Sequence, residues 1–154
     1  MRKLFTLFLT VIQYYLLVFE RLRLGEELKT NSIMANHKEL DVWKESMLLA
    51  KWIYAITSKF PKQETFGLTS QMRRCSVSVP SNIAEGAARN SDKEFVQFLY
   101  ISLGSLAELE TQVILSHECG FLNEPLEITK IISVRKKLLG LIKYLKKNNQ
   151  KHYQ

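Results

Sequence analysis

Residues Leu68–Gly86 read LTSQMRRCSVSVPSNIAEG. Leu68, Met72, Cys75, Val79 and Ile83 recur at three- and four-residue spacing, the period of one α-helical face. A polar stripe of Gln71, Arg74, Ser78, Asn82 and Glu85 runs beside it at the same spacing. Pro80 removes one helical backbone bond, so a bend near Ser76 is expected. Gly86 suits a C-terminal cap.

Three more helices flank this one. Downstream, Ser91-Asp92-Lys93-Glu94 is a capping box, in which hydroxyl and carboxylate satisfy orphan N–H groups at the helix start. The helix it opens runs to about Cys119, with Gly120 as its stop. Phe95, Leu99, Leu106, Leu109 and Val113 form its core face, and the small residues Ser102, Gly104, Ser105 and Ala107 invite close approach of a neighbour. Upstream, a helix from an Asp41 N-cap to Lys59 carries two adjoining apolar stripes. One is Leu40, Trp43, Met47, Ala50 and Tyr54; the other is Val42, Leu49, Ile53, Ile56 and Phe60. That face is wider than a two-helix contact requires, which leaves a surplus for the N-terminal leader or another subunit. The last helix begins near Pro125 and runs to about Lys147, with a seam of Ile128, Ile131, Val134, Leu138, Leu141 and Leu145. Short connections make sequential helices antiparallel. The fold class is all-α, an antiparallel up-down-up-down four-helix bundle over residues 34–154, with an extra N-terminal apolar helix as an option.

That option rests on residues 1–33. Leu4–Phe19 reads LFTLFLTVIQYYLLVF, shorter than the roughly 20 residues of a spanning helix and without a small-x-small cleavage site after it. Its Phe, Leu, Ile, Tyr and Lys content is what AT-rich DNA encodes whether or not it is a gene. The expectation is a misassigned start, with translation beginning at Met34. The alternatives are a membrane-associated helix or an ordinary additional one.

Composition agrees with a helical domain. Of 154 residues, 46 % are hydrophobic and only six are Gly and three Pro, too few for the turns of a sandwich or barrel. The formal charge of +7 is concentrated. After residue 129 stand eight basic residues and no acid: Lys130, Arg135, Lys136, Lys137, Lys143, Lys146, Lys147 and Lys151. These are the candidate nucleic-acid contacts. The alternative reading is a solvated face whose last lysines complement the helix dipole.

The patterns of catalysis and cofactor binding do not occur. There is no glycine-rich phosphate loop, and His37, His117 and His152 are scattered. His117, Glu118 and Cys119 are consecutive and diverge around a helix, so no metal site is expected. Cys75 on the apolar stripe reads as core. No cofactor is expected, and the protein is read as not an enzyme. The arginines offer two readings: a phosphate or partner contact, or ion pairs joining Arg74 to Glu85, or either Arg73 or Arg74 to Glu108, buried so as to fix helix register. The aromatics fall on core stripes, so no stacking platform is expected.

Leu68–Gly86, followed by EFVQFLYISLGSLAELE at Glu94–Glu110, resembles the bacterial family of 23S rRNA intervening-sequence proteins. LDVW at Leu40–Trp43, the FPKQETFGL turn at Phe60–Leu68 and ECGFL at Glu118–Leu122 fit as well, and the likeness extends over about Leu40–Leu145. The resemblance places the family's polar motifs on Gln71, Arg73, Arg74, Asn82, Glu85, Gly86, Gly104, Ser105, Glu108 and Glu110. Cys75 and Leu103 depart from it, standing where alanine is common. It implies a cytoplasmic four-helix bundle that forms a ring-like homopentamer, with no catalytic residues to transfer. It also implies kinship with accessory variability determinants of diversity-generating retroelements, basic pentamers that bind reverse transcriptase and nucleic acid. Two functions follow as expectations: an oligomeric scaffold for structured RNA, or a protein adaptor such as a reverse-transcriptase accessory factor. A membrane partner depends on residues 1–33 being translated. The family begins near the first-helix motif, in accord with a start at Met34. Intact mass of the natively expressed protein checks that start: the expected species lacks residues 1–33.

Overall fold

The computed structural model describes residues 36–122 and 128–151. After a 3-10 turn at His37–Glu39 come α1 (Asp41–Thr57), a second 3-10 turn at Lys62–Thr65, α2 (Leu68–Ala87), α3 (Asp92–Glu118) and α4 (Ile128–Lys151). There is no strand among the described residues. Residues 1–35 and Pro125 lie outside them, so neither the leader nor the proposed start of α4 is described.

Each helix packs on two neighbours in a square, α1 on α2, α2 on α3, α3 on α4 and α4 on α1, with no close backbone approach across the diagonals among the described residues. The α2–α3 contact is the most extensive and the α1–α4 contact the least. One core joins all four helices: Leu49 and Ile53 from α1, Met72, Val79 and Ile83 from α2, Leu99, Leu106 and Leu109 from α3, and Ile131, Leu138 and Leu145 from α4. α3 is also long and apolar enough, by length and composition alone, to cross a bilayer. In this fold its apolar stripe forms one wall of the core.

Caps and breakers set the ends. The Ser91 hydroxyl accepts the Glu94 N–H at 3.3 Å and donates to the Glu94 carboxylate at 2.8 Å, closing the first turn of α3. At the other end Gly120 adopts φ +73°. Its N–H bonds to the His117 carbonyl and that of Phe121 to the Ser116 carbonyl, a Schellman close. Phe121 then packs on Phe60, ring centroids 5.8 Å apart, tying the end of α3 to the segment after α1. Pro80 sits buried within an uninterrupted α2.

Several expected details differ. Asp41 is the first residue of α1 rather than its cap; Leu40 holds that place, and the helix stops at Thr57 rather than Lys59. Gly86 is not a cap: α2 continues through it to Ala87, and Ala88 closes the helix. A Cβ on Gly86 would lie 2.6 Å from Phe95 Cδ2 and 2.7 Å from Phe98 Cβ, so the missing side chain is what admits two α3 aromatics. Of the α3 small residues, Ser102 and Ser105 meet α2. The Ser102 hydroxyl donates to the Val79 carbonyl at 3.1 Å, and Ser105 shares a hydrogen bond with Ser78 at 2.9 Å. Gly104 and Ala107 instead face outward, with open space at Gly104. On α1 the second stripe is wholly buried, whereas Met47 and Tyr54 of the first stay 45 % and 46 % exposed. On α4, Ile142 joins the core and Leu141 is only partly buried.

Two glycine substitutions check this packing in opposite directions. Gly86→Ala drives a methyl into Phe95 and the Phe98 stem and is expected to destabilise by about 1–3 kcal/mol. Gly104→Ala fills open space and is expected to be neutral, or stabilising by up to about 1 kcal/mol through helix propensity. Urea midpoints at one protein concentration read both.

Candidate functional site

Two surfaces carry the polar and charged residues singled out above: the outer edge of the α2–α3 seam and the outward side of α4. Along the seam, Arg74 donates to Gln71 Oε1 and, at 2.8 Å, to Glu108 across on α3. Gln112, one turn beyond Glu108, donates to the same carboxylate at 3.1 Å. Of the pairings foreseen, Arg74–Glu108 forms and Arg74–Glu85 does not: the two residues lie about three turns apart on one helix, about 16 Å along its axis, and Glu85 pairs with Arg89 one turn on. The pair is also not buried: Arg74 and Glu108 side chains are 64 % and 45 % exposed, so its contribution to stability is small. Arg73 turns the other way. Its Nε donates to Thr57 Oγ1 at 2.9 Å and its guanidinium lies 4.9 Å above the Tyr54 ring, binding α2 to α1. Asn82 belongs to a separate set, donating to the Ser78 carbonyl and hydroxyl, and Ser78 shares a hydrogen bond with Ser105. The motif residues are thus brought together on α2 and α3, with Arg73 and Glu85 drawn off to other partners.

Beneath this edge Cys75 is buried, and Glu108 and Gln112 lie close to it. Burial first, and then the Glu108 carboxylate, push the thiol from 9.0 up to about 11. A thiol so held is protonated at neutral pH and is a poor nucleophile. The Gln112 side-chain oxygen is buried with no partner among the described residues. No cluster of three His, Cys, Asp or Glu that could hold a metal occurs among the described residues.

α4 divides its basic residues lengthwise. Arg135 makes a two-pronged contact with Glu110 of α3, at 2.6 and 3.3 Å, and Lys137 reaches Glu45 of α1 at 3.1 Å. Ser133 donates to the same Glu45. These contacts clamp the last helix to its two neighbours and engage Arg135 and Lys137 in ion pairs. Lys130 stands exposed beside Glu45 and Leu48 at the α1 edge. Lys146 donates to Tyr100 Oη at 2.9 Å and lies 5.0 Å over that ring. Lys136, Lys143 and Lys147 are exposed and have no carboxylate partner among the described residues. The Lys151 side chain lies outside the described part.

Two features escaped the sequence reading. Tyr100 and Tyr144 are 48 % and 55 % exposed beside the α4 lysines, where a stacking platform was not expected. Both lie more than a quarter turn from the centre of their helix's core stripe at about 100° per residue, so helical spacing already sets them off the core. The surplus apolar face of α1 is only partly covered by α2 and leaves a groove. Trp43, Met47 and Tyr54 line an open groove of about 460 Å³ with Val77, Pro80 and Ala84 of α2, and Lys51 is its charged lining residue.

Among known proteins, a family model described as 23S rRNA-intervening sequence protein matches residues 38–146. A search of curated proteins found no match.

The raised Cys75 pKa has a checkable sign. Because the folded value lies above the unfolded one, its contribution is intact below about pH 9 and is lost as pH rises toward about 11. Cys75→Ala is therefore expected to show a shallower stability loss over that interval than the parent protein in urea melts. In the native protein a thiol reagent is expected to titrate the exposed Cys119 and spare Cys75.

Proposed function

Because the chain belongs to the 23S rRNA-intervening sequence protein family, we propose that it is a non-enzymatic, homo-oligomeric scaffold of the cytoplasm that binds structured RNA or a nucleoprotein through α4. The observation that carries this reading is the outward line of Lys136, Lys143 and Lys147 on a helix without an acidic residue from Ile128 to Lys151. The ion pairs on the inner flanks of α4 hold that line in place. Each lysine neutralises a phosphate and releases counterions, a weak gain singly. Repetition of the helix around an assembly multiplies the contacts within one RNA, so affinity grows by multivalency.

Self-association draws on the apolar α1–α2 groove, whose Met47 and Tyr54 are left half in water by a single chain. The resemblance to ring-forming relatives makes a pentamer the proposed stoichiometry. The same groove supports a second reading, a protein adaptor such as a reverse-transcriptase accessory factor, in which it seats a partner's helix instead of another copy.

Filter binding and native mass spectrometry test these points. RNA retention at about 50 mM salt is expected to fall steeply by about 200 mM. Replacing Lys136, Lys143 and Lys147 by Gln is expected to flatten the logarithmic salt slope by about 0.7–0.9 for each phosphate that is no longer neutralised. Absence of retention at low salt overturns the RNA reading. A monomer at micromolar concentration overturns the scaffold.

A further inference from the structure

We propose that the outward face of α4 is a track for unpaired RNA, on which Tyr144 stacks a base while Lys136, Lys143 and Lys147 hold the flanking phosphates. This rests on the RNA reading above and specifies which form of RNA the site takes. At about 100° per residue, positions 136, 140, 143 and 147 fall within roughly one-sixth of a turn, directly opposite the buried Ile131–Leu138–Leu145 seam. All four are exposed. Tyr144 lies on the α1 side of this line, and Tyr100, held by Lys146, lies on the α3 side. Three ammonium groups therefore run between two aromatic flanks.

The aromatic flanks are what separate a single strand from a duplex. A duplex offers phosphates and hydroxyls at its surface, for which the lysines suffice, and hides the faces of its bases. A single strand presents both charge and base faces, and a sequence-tolerant site for it pairs a basic track with exposed rings. Tyr144, more than half in water and without a ring contact among the described residues, answers that second requirement. Gly140 adds room. Helix interiors disfavour glycine, yet here it lies one turn before Tyr144 with nothing within 4 Å of where a Cβ would sit. It also walls a cleft of about 250 Å³ with Val42 and Leu141, on the Tyr144 side of the helix. A ribose lying over Gly140 brings its base against the Tyr144 ring.

Fluorescence anisotropy of the full chain with two labelled probes tests this: an unstructured RNA strand of about 16 nucleotides and a duplex with the same number of phosphates. The parent protein is expected to favour the strand. Tyr144→Ala is expected to weaken strand binding by about tenfold and leave duplex binding within twofold, while Tyr144→Phe keeps parental affinity, since the ring and not the hydroxyl is used. Circular dichroism checks that each variant is folded. Equal effects of Tyr144→Ala on both probes, or none on the strand, overturn this inference and leave the RNA reading standing. Failure of the parent to bind either probe at about 50 mM salt removes that reading itself. Displacement of the strand by polyglutamate at equal charge marks the face as a docking patch for acidic protein and also overturns the proposal.

Discussion

The close approach of α2 to α3 is the constraint on which the rest of the bundle depends. Gly86 leaves space for Phe95 and Phe98, Ser102 bonds directly to the Val79 backbone, and Ser78 and Ser105 share a hydrogen bond. Side chains this small bring two helix backbones together over several turns, and a four-residue connection closed by the Ser91 cap fixes their register. α1 and α4 then complete the square, and they are secured differently. α1 is bound to α2 by Arg73 on Thr57 and Tyr54, and α4 is clamped between Glu110 and Glu45. The polar residues of the bundle thus act mainly at its seams, outside a core that is largely apolar.

This division explains why the family motif reads as both polar and structural. Arg74, Glu108 and Gln112 form one chain of hydrogen bonds at the surface, directly above a buried thiol. An exposed ion pair adds little stability. What the network does provide is a fixed polar rim along the α2–α3 edge, separate from the lysine line on α4. The proposed work of binding and the work of holding helices together fall on different residues.

Helix existence, order and core were legible because three- and four-residue spacing survives in every segment; the Val42–Phe60 stripe, the Met72–Ile83 stripe and the Phe95–Val113 stripe are all buried as read. What spacing could not supply was the width of each buried face. α1 has two apolar stripes and one chain has core for only one, so Met47 and Tyr54 emerge at the surface. Gly86 illustrates a different ambiguity: a glycine near a helix end reads as a cap, and only the position of the neighbouring helix reveals that it is a contact. The α4 charges were legible as a group but not individually, since the carboxylates that claim Arg135 and Lys137 come from residues 25 and 92 positions away in the chain. Tyr100 and Tyr144 were missed for a different reason: both lie well off the core stripes of their helices, and grouping the aromatics with those stripes hid them.

The lengthwise split of α4 has an evolutionary corollary. Its inner edge is committed to folding, but Lys136, Lys143 and Lys147 contribute no carboxylate contact to the scaffold among the described residues. On the proposed RNA reading, mutational drift along that outer edge alters binding without disturbing how the core assembles. One scaffold can accordingly be inherited intact while its ligand preference diverges from lineage to lineage.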